Sequence, residues 1–243
     1  MGKRFLFLVV VMLFLPSLLY AAEEVIEEWA AHYNGSGNGR DKATEIAVDL
    51  AGNIYVSGTS PGIESSYDYA TIKYDTYGNQ LWVARYNGTA NRHDLVTAIA
   101  VDTSGNVYVT GYSDGIEAGY AYPLYEWATI KYDTNGNQLW VARYHGPTTD
   151  SHDCASAIAV DASGNVYVTG ETVNNAKNTD YTTIKYDTNG NQLWVAKYNG
   201  PGNYTDWARA IAVDISGNVY ITGYSYGGSK TQLDYATIKY DTN

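Results

Sequence analysis

The sequence predicts an all-β chain, a β-propeller of four four-stranded antiparallel blades, on three observations. Trp29, Trp82, Trp140 and Trp194 are separated by 53, 58 and 54 positions, and Gly52, Gly105, Gly164 and Gly217 by 53, 59 and 53. A period of that size marks one supersecondary unit copied along the chain. Each copy holds short runs rich in Val, Ile, Thr, Tyr and Trp, illustrated by "TAIAVD", "NVYVTGYS", "ATIKYD" and "QLWVARY" in the second, and these read as strands. Between the runs stands Asp-x-x-Gly-Asn, starting at Asp49, Asp75, Asp102, Asp133, Asp161, Asp187 and Asp214, with Asp241 opening an eighth.

The chain begins with Lys3 and Arg4, an apolar run from Phe5 to Leu19, the small residues Ala21 and Ala22, and then Glu23, Glu24, Glu27 and Glu28. This order reads as a secretory signal peptide over residues 1–21. An anchor helix is the alternative, but the run is interrupted by Pro16 and falls short of the roughly 20 residues that a span needs. The product is expected to be secreted or displayed at the cell surface, with no membrane span after cleavage. Losing Lys3 and Arg4 takes the formal charge from −11 to −13, which disfavours nucleic acid and anionic membrane as partners, since both require clustered Lys and Arg. A single cysteine, Cys154, makes no internal disulfide, so packing alone must hold residues 22–243.

In Asp-x-x-Gly-Asn, aspartate at the first turn position accepts hydrogen bonds from amides two or more residues on, and the glycine takes positive φ. The motif is hairpin punctuation. Calcium binding in the manner of an EF-hand would need glycine sixth and a glutamate twelfth; from Asp133 the glycine is fourth, and the twelfth residue is Tyr144.

Two tight hairpins per unit make a four-stranded meander whose two apolar faces are buried only by neighbouring copies. Stacking around an axis gives the propeller. The Ala-x-Ala strands (Ala98 and Ala100, Ala157 and Ala159, Ala210 and Ala212) suit the crowded inner position, and the Trp strands the outer one. The first strand-like run, "EWAAHY" at Glu28 to Tyr33, matches "QLWVARY", whereas the last unit ends without such a run. The N-terminal strand is therefore expected to complete the last blade and close a ring of four. The alternative is a piece of a larger propeller.

The unit resembles the SBBP, or bacterial β-propeller, repeat through Asp94, Ala100-Val101-Asp102, Gly105-Asn106-Val107-Tyr108-Val109-Thr110-Gly111 and Lys131-Tyr132-Asp133. The resemblance covers about residues 29 to 243. It implies secreted or surface proteins, usually large and multidomain, mostly without assigned activity. "YDTNGNQLW" is also similar to the turn-plus-tryptophan of quinoprotein propeller repeats, without a pattern to cradle a quinone.

Binding is expected on the end carrying the longer connections, because loops on a rigid scaffold carry recognition. From Gly58 to Ala70, Gly111 to Ala128, Gly170 to Thr182 and Gly223 to Ala236 the position differences are 12, 17, 12 and 13. The long insert "DGIEAGYAYPLYEW" offers Tyr120, Tyr122, Tyr125 and Trp127 to stack on a carbohydrate, peptide or protein partner, or to form a lid over the channel mouth. Asp41, Asp94, Asp153 and Asp206 recur five positions before an isoleucine. Near one axis they would meet a cation such as calcium, or each would cap its own loop. His93-Asp94 and His152-Asp153-Cys154 do not repeat a nucleophile, base and orienter, so a non-enzymatic module is expected. The recurrent Lys73, Lys131, Lys185 and Lys239 read as solvated stems or partners of acidic neighbours.

Overall fold

A computed structural model describes residues 25–115, 124–148, 153–176, 178–228 and 232–241. Residues 1–24, where the export signal is expected, lie outside them. The chain divides into two units, 1–30 and 31–243; the described part of the first, 25–30, holds no strand. No helix among the described residues is long and apolar enough to cross a membrane.

The second unit is all-β. Among the described residues, fifteen strands form four antiparallel sheets. Sheet 1 orders β1 (Lys42–Val48), β2 (Ile54–Pro61), β3 (Tyr67–Tyr74) and β4 (Gln80–Tyr86) as a meander, and sheet 2 does the same with β5 (Asp94–Val101), β6 (Val107–Gly115), β7 (Leu124–Tyr132) and β8 (Gln138–Tyr144). Sheet 3 contains β9 (Cys154–Val160), β10 (Val166–Val173), β11 (Thr179–Tyr186) and β12 (Gln192–Tyr198). Sheet 4 has only β13 (Asp206–Val213), β14 (Val219–Gly228) and β15 (Gln232–Tyr240).

The hairpins form as their residues dictate. At the β7–β8 turn, Asp133 Oδ1 accepts from the amides of Asn135 (2.8 Å) and Asn137 (2.9 Å), while Asn137 Nδ2 donates to Oδ2 (2.8 Å). The Gly136 amide closes the turn onto the Asp133 carbonyl at 3.1 Å, with φ at +84°. Every acceptor the carboxylate offers is thereby directed at its own loop. The same pattern occurs at Asp49, Asp75, Asp102, Asp161, Asp187 and Asp214.

The first strands neighbour one another, β1 with β5, β5 with β9 and β9 with β13. Small alanines there permit close approach, so these strands form the innermost layer. The two faces of each sheet are inequivalent. Sheet 1 presents Tyr55, Tyr69, Trp82 and Ala84 toward sheet 2, which answers with Val107, Val109, Ala128, Ile130 and Tyr132 in one cluster. A second cluster joins sheets 2 and 3, and a third joins sheets 3 and 4.

Polar groups cross each junction where the packing leaves backbone carbonyls facing the neighbour. Trp82 Nε1 (3.0 Å) and Lys73 Nζ (3.3 Å) both donate to the Thr134 carbonyl, and Trp140 Nε1 (3.1 Å) and Lys131 Nζ (3.2 Å) to that of Thr188. This corrects the solvated reading for Lys73 and Lys131, whereas Lys239 is exposed. Lys73 and Lys131 are buried over the Tyr55 and Tyr108 rings, 5.1 Å from each centroid, where the cation–π attraction and a carbonyl replace water.

Sequence and structure differ at the ends of the array. Residues 25–33 form no strand, and β15 has no fourth partner. Among the described residues, no packing of comparable extent links sheet 4 to sheet 1. The expected closure by Glu28–Tyr33 is therefore not made. Tyr33 packs instead in front of sheet 1, beside Ala70, Ile72 and Tyr74.

The turn glycines yield a graded test. A Cβ at Gly136 would lie 2.8 Å from Trp82 Cδ2, but at Gly105 its nearest neighbour would be Thr134 Cγ2 at 3.3 Å. Gly105→Ala is expected to cost the ~1–2 kcal/mol of left-handed backbone strain. Gly136→Ala should add about 1 kcal/mol or more, because the ring of the preceding sheet must shift. Urea denaturation of both variants checks the order; equal losses would mean that Trp82 does not lean on this turn.

Candidate functional site

The connections opposite the Asp-x-x-Gly-Asn turns gather the predicted site residues. Each begins with a glycine whose amide donates to an aspartate at the start of the next sheet: Gly35 to Asp41 (3.1 Å), Gly88 to Asp94 (2.7 Å), Gly146 to Asp153 (2.6 Å) and Gly200 to Asp206 (2.7 Å). The second oxygens of Asp153 and Asp206 accept from the amides of Val173 (2.8 Å) and Tyr226 (3.1 Å). These aspartates clamp loop to sheet, as buried carboxylates surrounded by amides do. Among the described residues, no three His, Cys, Asp or Glu side chains gather as a metal site. The structure thus does not bring Asp41, Asp94, Asp153 and Asp206 together as the cation ring considered above; their amide contacts tie each one to the loop and strands of its own sheet.

The clamps connect to a basic side chain on the outer strand. Arg85 donates to Ser60 Oγ (2.7 Å), to the Ser60 carbonyl (2.7 Å) and to Asp68 (2.9 Å), and reaches Tyr33 Oη at 3.3 Å. One sheet on, Arg143 reaches Ser113 Oγ at 3.3 Å, pairs with Glu126, and donates to Tyr86 Oη at 2.6 Å. In sheet 3 the equivalent Lys197 contacts Thr172 Oγ1 at 3.5 Å. The repeat therefore encodes acid, hydroxyl, cation and second acid at matched positions. That regularity was present in the sequence but is spread over four strands, so only register assembles it.

Of the four aromatic residues proposed for ligand stacking, Tyr120 and Tyr122 lie outside the described residues. Trp127 is not at the surface: it is 1 % exposed, donates Nε1 to the Glu171 carbonyl of sheet 3 (3.4 Å) and tilts against Tyr144 at 5.5 Å. A ring with both faces covered by protein has none left for a ligand, which corrects its assignment. Tyr125 is half-buried, and its ring meets Tyr112 at 4.9 Å.

Sequence reasoning missed three further ring contacts at this end. Tyr67 stacks on exposed His93 at 5.7 Å, Tyr204 meets Tyr226 at 5.2 Å, and Trp207 meets Tyr224 edge-on at 5.0 Å. Aromatic residues at strand ends were the available signal. Their pairing needed the cross-strand register.

The titratable groups here are shifted by burial. Burial pushes the Cys154 thiol up to about 12, and the charges of Glu171 and Asp153 add to it, so the thiolate nucleophile is suppressed at neutral pH. Burial likewise pushes Asp94 up to about 6, against the opposing pull of the Ser113 hydroxyl and Gly88 amide.

With a folded value above the ordinary 3.8, Asp94 contributes stability that is complete below the unfolded value and is lost as pH rises through about 6. Asp102 and Asp161 run the other way, because bonds from their own turn hold them down against burial; their contribution disappears as pH falls through the low-carboxylate range. The melting temperature is expected to rise on going from pH ~7 to pH ~5. Asp94→Asn should flatten that limb, and an unchanged slope in circular-dichroism melts would remove Asp94 as its source.

Comparison with known proteins fits this geometry. The model of the SBBP family, a beta-propeller repeat, matches residues 31–63, 82–116 and 193–229. An uncharacterized WD repeat-containing protein of Acanthamoeba polyphaga mimivirus is 25% identical over 211 residues. That match covers 68% of this chain, which spans only 15% of that relative's length. Among solved structures, a protein of unknown function from Bacteroides caccae aligns with 84% of this chain and 62% of its own, at 13% identity and a TM-score of 0.46. A gluconolactonase of Xanthomonas campestris aligns with 82% and 72%, at 12% identity and a TM-score of 0.28. Each matched segment contains an aspartate clamp and the two strands that follow it, so three regions of this chain match the SBBP beta-propeller repeat.

Proposed function

We propose that this chain is an exported, non-enzymatic binding module that takes a carbohydrate, peptide or protein partner on the end bearing the aromatic pairs. The observation that carries the reading is the chemical contrast between the two ends. At one, seven near-identical turns bind their carboxylates to their own amides, and the Thr134 and Thr188 carbonyls are taken by the adjoining sheet. At the other, ring pairs such as Tyr112–Tyr125 and Tyr67–His93 stand half-buried or exposed beside connections of differing length. Rings fixed by a neighbour lose little entropy on binding and present an apolar face with a polar edge, which suits sugars and peptide backbones. The suppressed Cys154 thiol favours binding over nucleophilic chemistry. Export rests on the charged, apolar and small-residue order of residues 3–22. A structural role within a larger surface protein is the second reading, favoured by the much greater length of the matched viral relative.

Glycan and peptide arrays probed with the wild type, with Tyr125→Ala and with the 116–123 insert shortened test recognition. The expected result is a ligand whose affinity falls about tenfold, or ~1.4 kcal/mol, in Tyr125→Ala. A ligand held equally by all three proteins, or no ligand for any, would refute the assignment to this end.

A further inference from the structure

The first three strands of the four sheets are chemically equivalent, yet their forward faces are not equally covered. Tyr69, Trp127, Tyr181 and Tyr235 occupy matched positions, each opposite the same point of the second strand (Thr59, Tyr112, Glu171 and Tyr224). The first three are 0–1 % exposed; Tyr235 is 96 % exposed. Their polar ends reach the next sheet, Tyr69 Oη at the Ala128 carbonyl (3.3 Å), Trp127 Nε1 at Glu171 (3.4 Å) and Tyr181 Oη at Ala236 (3.4 Å). Tyr55, Tyr108 and Tyr167 are buried where Tyr220 is exposed, and Lys73 and Lys131 are buried where Lys239 is exposed. Beside Tyr235 opens a cavity of about 600 Å³ lined by Trp207, Tyr224, Leu233 and Asp234.

The receiving face shows the matching pattern. A Cβ at Gly111 would lie 2.7 Å from Tyr69 Oη, at Gly170 2.9 Å from Trp127 Cζ2, and at Gly223 2.7 Å from Tyr181 Oη. These glycines make the notch that admits the ring of the preceding sheet. Gly58 is their counterpart in sheet 1, and its three nearest contacts are all backbone atoms of Lys42 and Ala43, with no ring among them. Near it Ile46 (65 %) and Val48 (60 %) are exposed, although their equivalents Ile99 and Val101 pack into the first core cluster. Tyr33 stands before sheet 1 and receives Arg85 as Tyr86 stands before sheet 2 and receives Arg143.

We propose that the forward face of sheet 4 docks onto the receiving face of sheet 1 in a second copy of this chain, head to tail, repeating the junction already made three times within one molecule. Tyr235 enters the notch at Gly58, with its hydroxyl on the Ala70 carbonyl. Lys239 reaches the Thr76 carbonyl, the position equivalent to Thr134 and Thr188, each of which accepts from a lysine and a tryptophan together. A second copy is favoured over an unrelated partner by that continuity of contact, since sheet 1 offers the glycine notch and the exposed Ile46 and Val48 that match the receiving face of the other junctions. Because the two surfaces differ, the contact is heterologous and propagates until a ring closes or a filament forms.

Light scattering across a range of protein concentrations, with Tyr235→Glu and Ile46→Asp, tests this. Both positions are exposed, so both variants are expected to keep the wild-type β circular-dichroism spectrum and melting temperature. The wild type should self-associate, each variant alone should be monomeric, and their equimolar mixture should form a dimer, because one intact face of each kind remains. A monomeric wild type would overturn the proposal, as closure on itself or cover by further repeats in a longer protein would then account for the faces. Association that survives either substitution, or a mixture that stays monomeric, would overturn it too.

Discussion

A four-stranded sheet of Val, Ile and Tyr has two apolar faces and no means of burying either by itself. Every other feature of this chain follows from the resulting need for a neighbour on each side. Stacking in chain order supplies three junctions to four sheets, and at each the forward face gives aromatic rings and a lysine while the receiving face gives branched aliphatics and a glycine notch, with a turn carbonyl added at the first two. The polar atoms in these contacts are not decoration. A lysine buried between sheets is tolerable only because a tyrosine face and a carbonyl together replace its water, and this fixes the spacing of the sheets as well as their adhesion.

The same units give the two ends of the array opposite chemistry. Asp-x-x-Gly-Asn hairpins spend their carboxylates on their own amides, which hold them ionised, and lend turn carbonyls to the adjoining sheet. The other end is stitched by buried aspartates, hydroxyls and an outer-strand cation, a network spread across several strands. Loops anchored in that way can differ in length and aromatic content without disturbing the sheets, and this is why recognition is proposed for that end.

Much of this was legible in the residues. The strands, the hairpin turns, the innermost place of the alanine-rich strands and the four-unit count follow from local patterns with periods of two residues or of about fifty, and each has a local physical cause. What was misread depended on the neighbour. Trp127 looks like a loop aromatic because it ends the long insert, but pairing with Tyr112 places it on the face that sheet 3 covers. Lys73 and Lys131 alternate with apolar residues like surface positions, and only the adjoining turn carbonyl makes their burial favourable.

The sequence by itself determined the repeating sheet, because turn chemistry and strand alternation act over a few bonds and need no other part of the chain. Tertiary structure decided which faces are covered, which aspartates clamp loops rather than converge, and that residues 25–33 do not complete the fourth sheet. Those outcomes depend on the relative placement of whole sheets, a property that identical repeats cannot specify individually, since each copy carries the same instructions whether or not it has a neighbour.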